Sequence, residues 1–158
     1  MPSPLYLLLS LPFLLAAAVM AVPRDTSRGT IAWMAAAAPL LGLGILAWLT
    51  PEAINGGILR GGHAWIPEAG LDFTLRLDGL AWMFVLLILG IGALVVLYAH
   101  YYLSSRDSAR RFFCYLLLFM GAMLGMVLAG NLLLLVLNLP LVGLWVRLLS
   151  VPYRWLFP

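Results

Sequence analysis

The sequence predicts an all-α integral membrane protein, a single membrane domain over residues 1–158, with about five transmembrane helices and a small extracytoplasmic β-hairpin between the second and third. Three observations carry that expectation. Uncharged apolar runs occupy residues 5–22, 31–49, 80–102 and 112–128, and a less regular fifth runs over 132–149. A run of roughly 18 residues or more suffices to cross a bilayer, because a helix rises about 1.5 Å per residue and the hydrocarbon is roughly 30 Å thick. Hydrophobic residues make up 65% of the chain and charged ones 9%, against about 25% charged in soluble proteins. Finally, residues 71–78 read Leu, Asp, Phe, Thr, Leu, Arg, Leu, Asp, a strict period of two that marks a half-buried strand.

The first span is rich in Leu and Ala and is closed by Pro23, since proline cannot continue the helical hydrogen-bond ladder. A cleaved leader is the competing reading, because Ala18-Val-Met-Ala21 has small residues at cleavage spacing. Leaders begin with a basic stretch, and residues 1–6 carry no basic side chain, so a retained helix is expected. The second span holds Pro39, Gly42 and Gly44; proline inside a membrane helix is tolerated where neighbours satisfy the freed carbonyl, and a bend is expected there.

Residues 50–78 form the one sizeable extramembrane connector. Asn55-Gly56-Gly57 and Gly61-Gly62 are turn signals. His63–Ile66 is the expected partner of the alternating strand, with residues 67–70 as the turn. Asp78-Gly79 opens the third span, where an aspartate accepts bonds from exposed first-turn amides and complements the helix dipole. That span ends in Tyr98, His100, Tyr101 and Tyr102, an interfacial aromatic belt. The fourth span carries Gly121, Gly125 and Ala129 at four-residue spacing, expected on one helical face as a close-packing stripe among Met120, Met123 and Met126. Asn131 is expected to cap the fifth span.

Charge sets the orientation. All nine basic residues are arginine, and alternate connectors collect seven of them against two. Cytoplasmic loops carry the excess of Lys and Arg, so the N-terminus is expected outside and the C-terminus in the cytoplasm. Scattered arginines do not make a nucleic-acid footprint. The single cysteine, Cys114, excludes an intrachain disulfide and a cysteine metal cluster, and its place inside the fourth span suits a small apolar filler.

An ion carrier needs an ionisable group near the bilayer midplane. The first four spans hold no Asp, Glu, Lys or Arg in their interiors; the fifth holds Asn138 and Pro140 mid-span and Arg147 near its end, placed to snorkel to the cytoplasmic surface. No catalytic triad, phosphate loop or metal-ligand cluster is present in the sequence, so no enzyme site, cofactor or metal is expected. The ion-path candidates are His100 and Asp78; against them stand an interfacial histidine with no role beyond solvation and a helix cap. Asp72 and Arg76 are placed to pair along a strand edge, and His63 lacks a partner for a ligand role.

Several strings follow one another in order: Trp65-Ile-Pro67, Leu77-Asp-Gly-Leu80, Leu87-Ile-Leu-Gly-Ile-Gly92, Leu97-Tyr-Ala-His-Tyr-Tyr-Leu-Ser104, Phe112-Phe113, Leu118-Phe-Met-Gly-Ala-Met-Leu-Gly125 and Gly130-Asn-Leu-Leu-Leu-Leu135. Together they resemble the N-terminal part of the large A-type subunit of Mrp-type multisubunit monovalent cation/proton antiporters, itself similar to the proton-pumping chain 5 subunit of complex I. The resemblance implies sodium/proton exchange in the cell membrane, with other antiporter subunits, the bilayer, protons and monovalent cations as partners. It also implies a central glutamate in a Trp-Glu pair, which should fall near Leu139-Pro140; neither residue matches. From about residue 138 the chain departs from the family, as a truncated or frameshifted frame would, so no catalytic residue carries over. Two alternatives stand beside the antiporter: a complex I-type membrane subunit of an NADH:quinone oxidoreductase, and a small membrane assembly protein that only packs against helices.

Overall fold

The structure, a computed structural model, describes residues 4–23, 26–54, 57–66, 71–103 and 108–130, together with Pro140 and Gly143. The fifth apolar run, apart from those two residues, lies outside the described residues, as do Asn131, Asn138, Arg147 and the turn expected at 67–70. Four helices and a hairpin follow in order: α1 (Pro4–Ala21), α2 (Arg28–Ile54), β1 (Leu59–Ile66), β2 (Leu71–Leu77), α3 (Gly79–Tyr102) and α4 (Ala109–Val127). All four helices are long and apolar enough to cross a membrane.

Helix α2 is longer than expected at both ends, and local hydrogen bonds account for the difference. At its start the Ser27 Oγ accepts from the Thr30 amide at 3.3 Å, a capping bond that lets the helix begin at Arg28. At its far end the Thr50 hydroxyl donates to the Leu46 carbonyl at 2.8 Å. The helix runs on through Pro51 to Ile54, so residues 50–54 belong to it and not to the connector. Helix α4 likewise begins three residues early, taking in Arg110 and Arg111.

Helix α1 lies along α4 and α2, α2 lies along α3, and α4 also touches α2 and α3. Helix α4 therefore meets all three others, and 44% of its apolar window is buried against 28% for α1 and α3. Small and branched residues turn inward: Ala81, Val85, Leu89, Gly92, Val96 and Ala99 on α3, and Ala32, Ala35, Ala38 and Gly42 on α2. Bulky ones turn outward, among them Trp33 (73% exposed), Trp48 (72%) and Leu94 (65%). Lipid is as apolar as leucine, so burying large side chains between helices gains little, whereas small ones let backbones approach.

The hairpin is the one piece of β-structure among the described residues, and the period-two expectation holds. β1 and β2 are antiparallel, with Leu59 opposite Leu77 and Gly61 opposite Leu75, and the register slips between Ala64 and Ile66. β1 is longer than the His63–Ile66 partner expected. Leu75 and Leu77 are fully buried, while Arg76 between them is exposed, as strand alternation requires. The second edge of β2 is taken as well. Beyond α4, the Arg76 amide donates to the Leu128 carbonyl at 2.9 Å and the Gly130 amide to the Thr74 carbonyl at 2.8 Å, with Ala129 bridged to Leu75. Residues 128–130 thus complete a three-part pairing that fastens the hairpin to the end of α4.

That fastening places a sharp demand on Gly130. A Cβ there would stand 2.7 Å from the Thr74 carbonyl oxygen and 2.9 Å from its carbon, both backbone atoms that cannot swing away. Gly130→Val is expected to destabilise the protein by about 1–3 kcal/mol through this overlap, read as a lower unfolding midpoint in detergent. Gly44→Ala is the matched control: a Cβ there meets nothing within 4 Å, and removal of a mid-helix glycine stabilises by roughly 0.5–1 kcal/mol.

Candidate functional site

Helix α3 carries both candidate ion-path residues, one at each end. Asp78 precedes its first residue and His100 lies in its last turn. Twenty-two residues at 1.5 Å each separate them by about 33 Å, so the structure does not bring them together. Between them the inward face of α3 consists of Ala81, Val85, Leu89, Gly92, Val96 and Ala99. No described residue that is buried is polar or charged, and no group of three metal-ligating side chains occurs among the described residues.

Asp78 is occupied as a cap. Its Oδ1 accepts from the Ala81 amide at 2.9 Å, and its Oδ2 lies 3.1 Å from an Arg76 guanidinium nitrogen. Arg76 therefore pairs with Asp78, two residues on along one strand face; the Asp72 side chain, its expected partner, lies outside those described. The pairing has a local cause: Arg76 stands opposite Arg60 in the register, and a like charge directly across a strand pair is unfavourable. With side chains 46% and 32% exposed, the ion pair itself adds little.

His100 is exposed, with its ring edge-on to Tyr101 at 5.0 Å. Tyr98 stacks on Tyr102 at 5.1 Å, so the aromatic belt is ordered by its own ring contacts. The first turn of α2 faces this end: a Cβ on Gly29 would stand 4.0 Å from the His100 ring.

The packing stripe divides. Gly121 and Gly125 are buried on α4. Ala129 is not on the helix, because α4 ends at Val127 and Ala129 joins the strand pairing with Leu75. The open edge of β2 captures this backbone one residue after the Leu128 amide makes its last bond to Leu124. Gly121 faces α1, where a Cβ would stand 2.8 Å from two ring carbons of Phe13. Gly92 meets Met120 and Gly42 meets Leu89 in the same manner, so a glycine opens the seam α1–α4, α3–α4 and α2–α3 in turn. One polar contact has no signal in the sequence: the Trp82 indole donates to the Thr50 hydroxyl at 3.1 Å, joining α3 to α2. Thr50 falls just beyond the second apolar run and Trp82 within the third, and nothing in their spacing marks the pair.

Gly121→Leu is expected to push α1 off α4 and lower the unfolding midpoint in detergent, by an overpacking cost of about 1–3 kcal/mol. Unchanged stability would mean that Phe13 moves aside freely. Asp78→Ala is expected to cost about 1 kcal/mol through loss of the cap, whereas Asp78→Asn, an equally good cap, should leave the midpoint near its original value.

The comparisons with known proteins agree with one another. Residues 65–113 match the family described as NADH-ubiquinone oxidoreductase (complex I), chain 5 N-terminus. The chain is 47% identical, over 78% of its length, to the probable K(+)/H(+) antiporter A/B subunit of Rhizobium meliloti, of which it spans 13%. It is 39% identical, over 83% of its length, to the Na(+)/H(+) antiporter A1 subunit of Staphylococcus aureus, of which it spans 16%. In three dimensions it resembles a chain of the Mrp complex from Dietzia sp. DQ12-45-1b, with a TM-score of 0.74, 30% identity and coverage of 89% of this chain and 15% of that one. The fold also recurs in an archaeal respiratory membrane complex, the membrane-bound sulfane sulfur reductase, with a TM-score of 0.71, 19% identity, and coverage of 90% of this chain and 22% of that one. The chain is thus a homologue of the N-terminal region of the A-type subunit of the Mrp-type antiporters, and its residues 65–113 carry the match to the complex I chain 5 N-terminus.

Proposed function

We propose that this chain supplies the N-terminal helical section of a multisubunit monovalent cation/proton antiporter in the cell membrane, and that it packs and positions neighbouring helices without carrying ions itself. The observation that carries this reading is the 47% identity to the antiporter A/B subunit, set beside a described core without a buried charge. A carrier must bind a proton or cation at membrane depth and release it on the other side, which needs a group whose charge can change there. His100 and Asp78 sit at the ends of α3, and Asp78 is held by its capping bonds. Gly121 and Gly125 serve packing in this reading. The partners are the other antiporter subunits and lipid; protons and monovalent cations pass through groups that this section does not supply.

The orientation we propose places the hairpin outside, with the N-terminus, and the C-terminus in the cytoplasm. The arginine-bearing first turns of α2 and α4 lie at one end of the bundle, as the bonds Arg28 to Leu103 and Arg110 to Val22 require. A specific observation favours a second reading. The match over 65–113 is to a complex I family, so a respiratory membrane subunit remains the alternative; it requires quinone-linked electron transfer in the assembly that contains the chain, where the antiporter reading requires none.

Two measurements test this proposal. Vesicles holding only this chain are expected to show no sodium- or potassium-dependent dissipation of a pH gradient above empty vesicles, and clear exchange would return His100 and Asp78 to candidacy. In a Cys114→Ala background, Gly62→Cys is expected to react with an impermeant thiol reagent from outside the cell and Ser108→Cys only after the membrane is opened. The reverse pattern would invert the topology.

A further inference from the structure

The connectors before α2 and α4 and the first turns of those helices carry five arginines, Arg24, Arg28, Arg106, Arg110 and Arg111, against two aspartates, Asp25 and Asp107. Orientation in the membrane needs only that surplus of charge. The fold does more with it. Arg28, Arg110 and Arg111 line a single open cleft of about 510 Å³ between the start of α2 and the start of α4, together with Thr26, Ser108 and Ile31, and no described carboxylate lines it. Two of the guanidinium groups are held in place by backbone: Arg28 Nη1 donates to the Leu103 carbonyl at 3.4 Å, and Arg110 Nη1 to the Val22 carbonyl at 2.9 Å. A guanidinium carries five N–H donors, so each keeps donors for a further acceptor while its direction is set. The positive ends of two helix dipoles point the same way, and the Ser108 side chain makes no capping bond to the first turn of α4.

Depth argues for what fills the cleft. The Arg28–Leu103 bond sets it beside the last turn of α3, whose Tyr98, Tyr101 and Tyr102 are 63%, 81% and 73% exposed. Tyrosines in that position mark the headgroup level of a bilayer. Phosphate groups are therefore present at the mouth of the cleft by lateral diffusion, at a concentration no soluble anion matches. Planar arginine forks suit phosphate oxygens bidentately, and basic pockets between membrane helices bind anionic headgroups. We propose that this cleft is a binding site for the phosphate headgroup of an anionic phospholipid, seated between the N-termini of α2 and α4. The inference stands apart from ion exchange and is independent of whether the chain assembles into an antiporter.

The test uses the full chain in phosphatidylcholine nanodiscs, with phosphatidylglycerol titrated in and both the unfolding midpoint and the lipid retained on native mass spectrometry as readouts. Phosphatidylglycerol is expected to raise the midpoint and to remain bound, and Arg111→Gln to weaken its affinity about tenfold, the scale of one charge-assisted contact. Arg110→Gln breaks the bond to Val22 and invites unfolding; the Arg111 side chain makes no hydrogen bond or ion pair with a described residue, so its variant separates binding from folding. Arg60→Gln, in β1 at the other end of the bundle, should change nothing. An equal shift from added phosphatidylcholine, an equal shift from inorganic phosphate, or full affinity in Arg111→Gln would each overturn the proposal.

Discussion

A peptide group inside hydrocarbon has no water to bond, so every backbone donor and acceptor at that depth has to be satisfied by the chain itself. Four helices meet the requirement over most of the described residues. The ends are where it becomes specific. Ser27 covers a first-turn amide of α2 and Asp78 one of α3, and the Thr50 hydroxyl is satisfied by the Leu46 carbonyl one turn back. The hairpin answers the same demand by pairing both edges of β2, one with β1 and one with residues 128–130. Its two buried leucines, Leu75 and Leu77, then rest against the bundle with their backbone already satisfied.

Once the backbone is closed, side-chain size decides how the helices sit. The inward residues of α2 and α3 are largely alanine, glycine, valine and leucine, and the outward ones include Trp33, Trp48 and Tyr101. Ordinary globular packing reverses this, hiding the largest apolar side chains to remove them from water. Here the outer medium is as apolar as the inside, and attraction comes from contact between closely spaced backbones. The glycine at each of three seams follows from that. So does the scarcity of polar contacts between the described helices, with Trp82 to Thr50 as one instance.

The same physics explains what could be read from the sequence and what could not. Span length and uninterrupted hydropathy located the four described helices, and strict alternation located β2, because both signals are local. Asp78-Gly79 at the start of an apolar run disclosed the cap of α3 for the same reason. The buried face of each helix was less legible: α3 is apolar all round, so hydropathy does not distinguish Val85 from Leu86, and only the rhythm of smaller residues at 81, 85, 89, 92, 96 and 99 does so. The ends of α2 were missed because Thr50 and Ser27 act through single side-chain bonds. The bridge at 128–130 was hidden more deeply, since its pairing joins residues some fifty positions apart and no pattern in Leu128-Ala129-Gly130 announces it. Gly121 and Gly125 were found by spacing, while extending the stripe to Ala129 assumed one more turn of helix than β2 permits. The candidate site fared in the same way: His100 and Asp78 were visible as polar residues at opposite ends of one span, but the bonds that occupy Asp78 and the approach of Gly29 to His100 had to come from the fold.

The double-edged pairing of β2 has a mechanical side. A hairpin joined to its protein only through its own two chain ends would swing on them. This one is also stitched to the far end of α4 by bonds at Arg76 and Gly130, and α4 is the helix that touches the other three. The position of the hairpin is therefore fixed against α4 as well as by its own chain ends, and any change that loosens residues 128–130 frees the second edge of β2 along with the end of the helix.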